Sequence, residues 1–352
     1  MDASRHRMIE AGFRAIAASR ADVWLRPLAR GRGVILTFHH VHPDPPGPYA
    51  PNRLLTITPA FLDAVILRLK ADGFDIVALD ELPARLAESG RPFAVLTFDD
   101  GYRDNLEHAA PVLARHAVPW TLFVTSDFAD GRGRLWWIEL ERAIARLDRV
   151  RLDAGSAEGA GLDLPAADAT QKSAAFAAVY RRLRAGPEER LLDSIADLCE
   201  QAGFEAGGVA GELCLPWPDL CRLAADPAVT IGAHTVSHPM LAKHVPETAA
   251  FEIAQGRDRI AARLGVPVRH LSYPVGDRSS ASAREFDLAR DLGFATAVTT
   301  RPGHLFAGHE RHLHALPRVS VNGLHQNETA MRALLSGVPF LAWNRGRRID
   351  VA

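Results

Sequence analysis

At 352 residues the chain has room for two average domains or for a single barrel carrying insertions, and its 47% hydrophobic content supplies a large core. A formal net charge of -1 and a pI near 7.0 give no basic field, so nucleic acid is not a partner that charge suggests. Cys199, Cys214 and Cys221 are an odd number without a Cys-x-x-Cys spacing, which speaks against a disulfide framework or a zinc ribbon and for a reduced compartment.

The N-terminus, Met1-Asp2-Ala3-Ser4-Arg5-His6-Arg7, leads into an apolar stretch interrupted by Arg14, so no signal-peptide core or transmembrane span is legible and a cytoplasmic location is expected. Within residues 7–30, Ile9, Phe13, Ile16 and Ala17 recur at helical spacing among arginines. The short apolar face favours a helix docked on the domain; the alternative is a helix lying on a membrane surface, giving peripheral contact. Residues 1–33 are therefore set apart as an N-terminal helical segment, and the barrel is expected over 34–345.

Val34-Ile35-Leu36-Thr37-Phe38 is the first strand, ending in His39-His40 before a proline-rich loop. Thr58-Pro59 reads as an N-cap with proline at the first helical position, and Phe61, Leu62, Val65, Ile66 and Leu69 form an apolar stripe that stops at Gly73. A short strand, Asp75 to Leu79, and a helix capped by Asp80 bring the chain to Phe93-Ala94-Val95-Leu96-Thr97-Phe98-Asp99-Asp100-Gly101. A helix over 105–116 and the strand Trp120 to Thr125 follow. The pair Trp136-Trp137 opens a further helix, with spacing that suits a core or a lid better than a sugar platform. From about 151 to 226 the alternation stops. Two helical patterns, near 170–184 and 187–202, and no clear strand predict a helical insertion.

Strand and helix then resume: Val229 to Ala233, a long helix Pro246 to Leu264, Leu271-Ser272-Tyr273 into Pro274-Val275-Gly276, a helix 282–292, Phe294 to Thr300, Leu316 to Val321 and a closing helix 327–337. Seven or eight strands, each mostly followed by a helix, predict a closed or nearly closed (β/α) barrel of α/β class.

The chemistry sits where strands end. Asp99 and Asp100, adjacent at the mouth of a buried strand, need a shared proton, an arginine or a metal ion to offset them, and a metal is the economical answer. His234 and His238, four apart at another strand end, have the spacing at which paired imidazoles grip one ion. With one aspartate they leave an open position for water. A backbone N–H at Val275, beside a glycine that permits close approach, has the character of an oxyanion donor, although an ordinary Pro-x-Gly turn fits the local sequence equally.

Thr97-Phe98-Asp99-Asp100-Gly101, His234-Thr235-Val236-Ser237-His238 and Tyr273-Pro274-Val275-Gly276, in this order, resemble the polysaccharide deacetylases of carbohydrate esterase family 4, over about 34–130 and 226–322. The resemblance implies a distorted (β/α)7–8 barrel, a divalent metal, usually zinc, and hydrolysis of N-acetyl groups on amino sugars. By position it implies Asp99 as general base, Asp100, His234 and His238 as metal ligands, and the Val275 N–H as oxyanion donor. The late leucine-x-histidine motif of the family has no clean counterpart here. Leu36-Thr37-Phe38-His39 resembles that motif moved to the front, as in circularly permuted members, which makes His39 the expected acid and His40, His312 and His314 its substitutes. The family's arginine before the Pro-x-Gly turn is also absent, and Arg318 is the suggested replacement. The expected function is metal-dependent release of acetate from an N-acetylated saccharide or lipid-linked sugar precursor. The rivals are hydrolysis of a non-sugar amide or cyclic imide on the same barrel, and an idle sugar-binding scaffold.

Overall fold

The structure is a computed structural model that describes residues 3–153 and 161–351. Seven parallel strands close on themselves: β1 (Gly33–Phe38), β2 (Phe93–Phe98), β3 (Trp120–Val124), β4 (Val229–Ala233), β5 (His270–Ser272), β6 (Thr296–Pro302) and β7 (Leu316–Ser320). Each pairs with its neighbour in chain order, and β1 pairs with both β2 and β7 to complete the ring. The eighth expected strand is not part of that ring. Only Asp75–Ile76 is extended, paired to the start of β2 beyond the reach of β3.

Alternation along the strands sorts side chains between the two faces of the barrel wall. Ile35, Phe93, Val95, Phe123, Val298 and Leu316, from five strands, pack as one buried cluster, which only the inner face can bring together. Val34, Leu36, Phe38, Leu96 and Phe98 face outward into the helical layer. There the helix Pro59–Ala71 lays down Leu62, Val65, Ile66 and Leu69, with the Thr58 side chain accepting from the Phe61 N–H as its cap.

Four helices have particular consequences. Helix α1 (Ala3–Ala18) is docked on the protein: Phe13, flanked by Ile9 and Ile16, packs against Ala330 and Ala333 of the helix Glu328–Ser336. Helix α2 (Trp136–Arg146) buries both tryptophans in the core of a lobe. It shares that core with α3 (Ala169–Ala185) and, through Leu191, Ile195 and Leu198, with α4 (Glu188–Gln201). The lobe is not wholly helical as expected. Arg149–Leu152 pairs antiparallel with Leu162–Pro165, burying Val150 and Leu152 on one face, and an alternation of four residues is too short to register as a strand in sequence. Residues 154–160 of the expected insertion lie outside the described residues. The lobe returns to the barrel at Leu215, whose N–H donates to the Gly101 carbonyl at 2.9 Å.

Candidate active site and metal centre

The β1–β2 register pairs Leu36 with Leu96, Thr37 with Thr97 and Phe38 with Phe98, so the same tripeptide lies side by side on two strands. Continuing it places His39 beside Asp99 on the inward side, and the Asp99 N–H donates to the Phe38 carbonyl at 3.0 Å. Asp99 meets Arg318 from β7 in a two-pronged ion pair: Nη1 to Oδ1 at 2.8 Å and Nη2 to Oδ2 at 2.6 Å. The guanidinium also donates to the Thr299 carbonyl, Thr97 Oγ1 and Ser272 Oγ, so this fully buried cation is held on all sides. Burial pushes the Asp99 carboxyl up, but Arg318 outweighs it and holds the group below the usual carboxylate value.

Asp100 turns away from Arg318 because its backbone is left-handed, with φ 72°. Its Oδ1 lies 3.4 Å from His234 Nε2 and 3.4 Å from His238 Nε2, and all three residues are buried. Among the described residues this is the one group of three such side chains whose ligating atoms converge within 4.8 Å. Asp100 Oδ1 is buried without a hydrogen-bond donor, an orphaned acceptor that a cation satisfies. His234 Nδ1 donates to the Ser272 carbonyl at 2.6 Å, which leaves Nε2 to face the triad. Burial pulls the His234 imidazole down, yet Asp100 and Asp99 more than reverse it. The donor set of one carboxylate and two imidazoles suits a divalent ion such as Zn²⁺.

The two histidines do not use helical spacing. They sit in a loop in which Thr235 (φ 66°) and His238 (φ 67°) are left-handed, a costly conformation for such residues that neighbouring contacts must enforce. Helix α5 (Pro246–Leu264) does so: Glu252 accepts from the Val236 and Ser237 N–H groups at 3.0 and 2.9 Å, and a Cβ on Gly256 would lie 2.5 Å from the Thr235 carbonyl carbon. Neither residue stands out in the sequence by motif or spacing. A glycine in mid-helix was the available signal.

His39 is partly buried and stands beside both aspartates; burial lowers its proton affinity, offset in part by Asp100 and Asp99. His40, by alternation, turns the other way: Nδ1 donates to Asp104 Oδ2 at 2.6 Å and the ring stacks on Tyr102. His312 and His314 precede the start of β7, at the opposite end of the barrel, where His314 Nε2 bonds the Phe294 carbonyl at 2.7 Å. Val275 has φ 60°, and its N–H has no acceptor among the described residues. A Cβ on the following Gly276 would lie 2.9 Å from Tyr273 O and Thr300 N, so this turn requires glycine. From the lobe, Trp137 donates Nε1 to the Tyr102 hydroxyl at 3.2 Å and its ring lies 4.9 Å from that of His238.

A closed seven-stranded barrel with buried acidic and imidazole groups at the C-terminal ends of its strands defines an α/β-barrel enzyme. Residues 87–152 and 179–297, more than half of the chain, match the polysaccharide deacetylase family, and the chain belongs to it. It is thus a hydrolase of carbon–nitrogen bonds. In fold it is similar to the Streptococcus pyogenes deacetylase PplD (18% identity, TM-score 0.51, covering 86% of this chain and 96% of that one). It is similar also to IcaB from Ammonifex degensii (17%, 0.52, 87% and 97%) and to a de-N-acetylase from Aggregatibacter actinomycetemcomitans (13%, 0.52, 86% and 99%). No curated protein matches the chain. His39 and Arg318 both lie outside the residues matched to the family.

Proposed function

We propose that the protein removes N-acetyl groups from an amino sugar with a divalent metal, zinc, held by Asp100, His234 and His238. The observation that carries this reading is the division of the aspartate pair: Asp99 is tied to Arg318, while Asp100 offers an orphaned oxygen to two imidazoles. A bound divalent cation supplies Lewis acidity toward water and the acetamide carbonyl. Asp99, kept ionised by Arg318, accepts the proton of the attacking water. The Val275 N–H donates to the oxygen that gains charge as the tetrahedral carbon forms. His39 delivers a proton to the departing nitrogen, and acetate and a free amino sugar leave.

The saccharide enters from the strand ends, where Trp137 packs beside His238 and donates to the Tyr102 hydroxyl. Acetate release from N-acetylated oligosaccharides tests the reading. Chelation or Asp99→Asn is expected to abolish it. His39→Ala is expected to retain metal but lose about 10²- to 10⁴-fold in turnover, the range for a general acid. His40→Ala, whose ring points to Asp104, is expected to lose much less. Release indifferent to chelator and to Asp99→Asn refutes the mechanism, and equal, mild effects of the two histidine variants move the acid elsewhere.

A further inference from the structure

We infer that the surface formed by the exposed side of helix α1, by residues 20–30 and by the helix and tail at 338–348 is a docking face for an anionic phospholipid bilayer. The inference stands independently of the chemistry in the pocket. It begins with where the large apolar side chains are exposed. Met8, Val23, Trp24, Leu28 and Trp343 are 67%, 42%, 62%, 51% and 50% exposed, and they are five of the eight such side chains among the described residues. They therefore concentrate on three short segments instead of scattering as ordinary surface residues do. The segments are packed on one another. Ala21 and Ala29 share a buried cluster with Val338, edged by Ile16, Leu25 and Leu341.

Charge on these segments is lopsided, although the chain as a whole carries -1. Arg14, Arg20, Arg345, Arg347 and Arg348 are exposed. Of the acidic residues there, Glu10 is paired with Arg14, and Asp22 is buried against Arg332 at 2.7 Å. Exposed indoles on segments that also carry exposed arginines match the interface of an anionic membrane, where the rings settle at headgroup depth and the guanidinium groups meet phosphate. The Trp24 indole is also held in place, its Nε1 donating to the Ser19 carbonyl at 3.0 Å. Helix α1 docks Phe13 inward, so what it adds to the face is the exposed Met8 and Arg14, not its apolar stripe.

The face has an orientation. Arg30 and Gly31 lead directly into the start of β1, whereas the aspartates and histidines lie past the far ends of the strands. A strand of this length spans roughly 20 Å. Docking therefore turns the mouth away from the bilayer, toward a saccharide standing off from it.

The test is co-sedimentation of the full chain with phosphatidylcholine vesicles containing about 30% phosphatidylglycerol, against pure phosphatidylcholine. Binding is expected to the mixed vesicles, weaker by about 10-fold without the anionic lipid, and released by high salt. Trp24→Ser with Trp343→Ser, and separately Arg345→Gln with Arg347→Gln, are each expected to lower partitioning about 10-fold with the thermal midpoint unchanged. Arg290→Gln, at an arginine 58% exposed on another helix, should bind as the unaltered protein does. No partitioning to anionic vesicles, patch variants that bind normally, or an equal loss in Arg290→Gln overturns the inference.

Discussion

Asp99 and Asp100 are neighbours in the chain with opposite surroundings. Strand alternation carries Asp99 inward above Thr97 to Arg318, and a left-handed backbone at Asp100 swings the next carboxylate to His234 and His238. Two of the offsets that crowded carboxylates admit, an arginine and a cation, are thus provided separately. The guanidinium comes from β7, and the stretch before Pro274 offers Ser272, whose hydroxyl accepts from Arg318 at 3.0 Å. Because this pair is fully buried, Arg318→Met should cost about 3–5 kcal/mol by stranding the Asp99 charge. Asp99→Asn with Arg318→Met should recover most of that loss in denaturant titrations. Purely additive costs would show that the two side chains do not act as a pair.

At the scale of elements, the loop that carries the two histidines is shaped by the helix behind it. Gly256 is the one place where that can be tested against intuition. Alanine is the better helix former by about 1 kcal/mol, yet Gly256→Ala should destabilise the protein and weaken metal retention, since its Cβ meets Thr235 backbone at 2.5 Å. Thermal melts and metal analysis read both effects, and a stabilised, metal-replete variant would contradict the packing argument. Strands and helices with long apolar periods are legible in sequence: the pattern that predicts a helix over Pro246–Leu264 matches its bounds in the structure. The aspartate pair and the histidines were legible too, because strand ends concentrate such groups. The hairpin in the lobe was not, since four alternating residues resemble many loops. Nor was the role of Glu252, which acts through backbone N–H groups that leave no side-chain pattern to read.

For the whole molecule, the barrel was readable as alternation of strands and helices, but the number that closes was not, because Asp75–Ile76 begins like a barrel strand and stops after two residues. The repeated Leu-Thr-Phe on β1 and β2 held the further clue that His39 and Asp99 share a side, yet it becomes informative only once register is known. No helix among the described residues is long and apolar enough to cross a membrane. The ion pair between Asp99 and Arg318 joins residues 219 positions apart, and β1 lies between the strands that carry them. This makes the pocket a late event in time: local helices form early, but a contact of such sequence separation must wait for the ring to shut. On dilution from denaturant, helical signal should therefore return before hydrolytic activity, with activity tracking the slowest phase. Catalytic competence would then report that the chain's first strand has found its last.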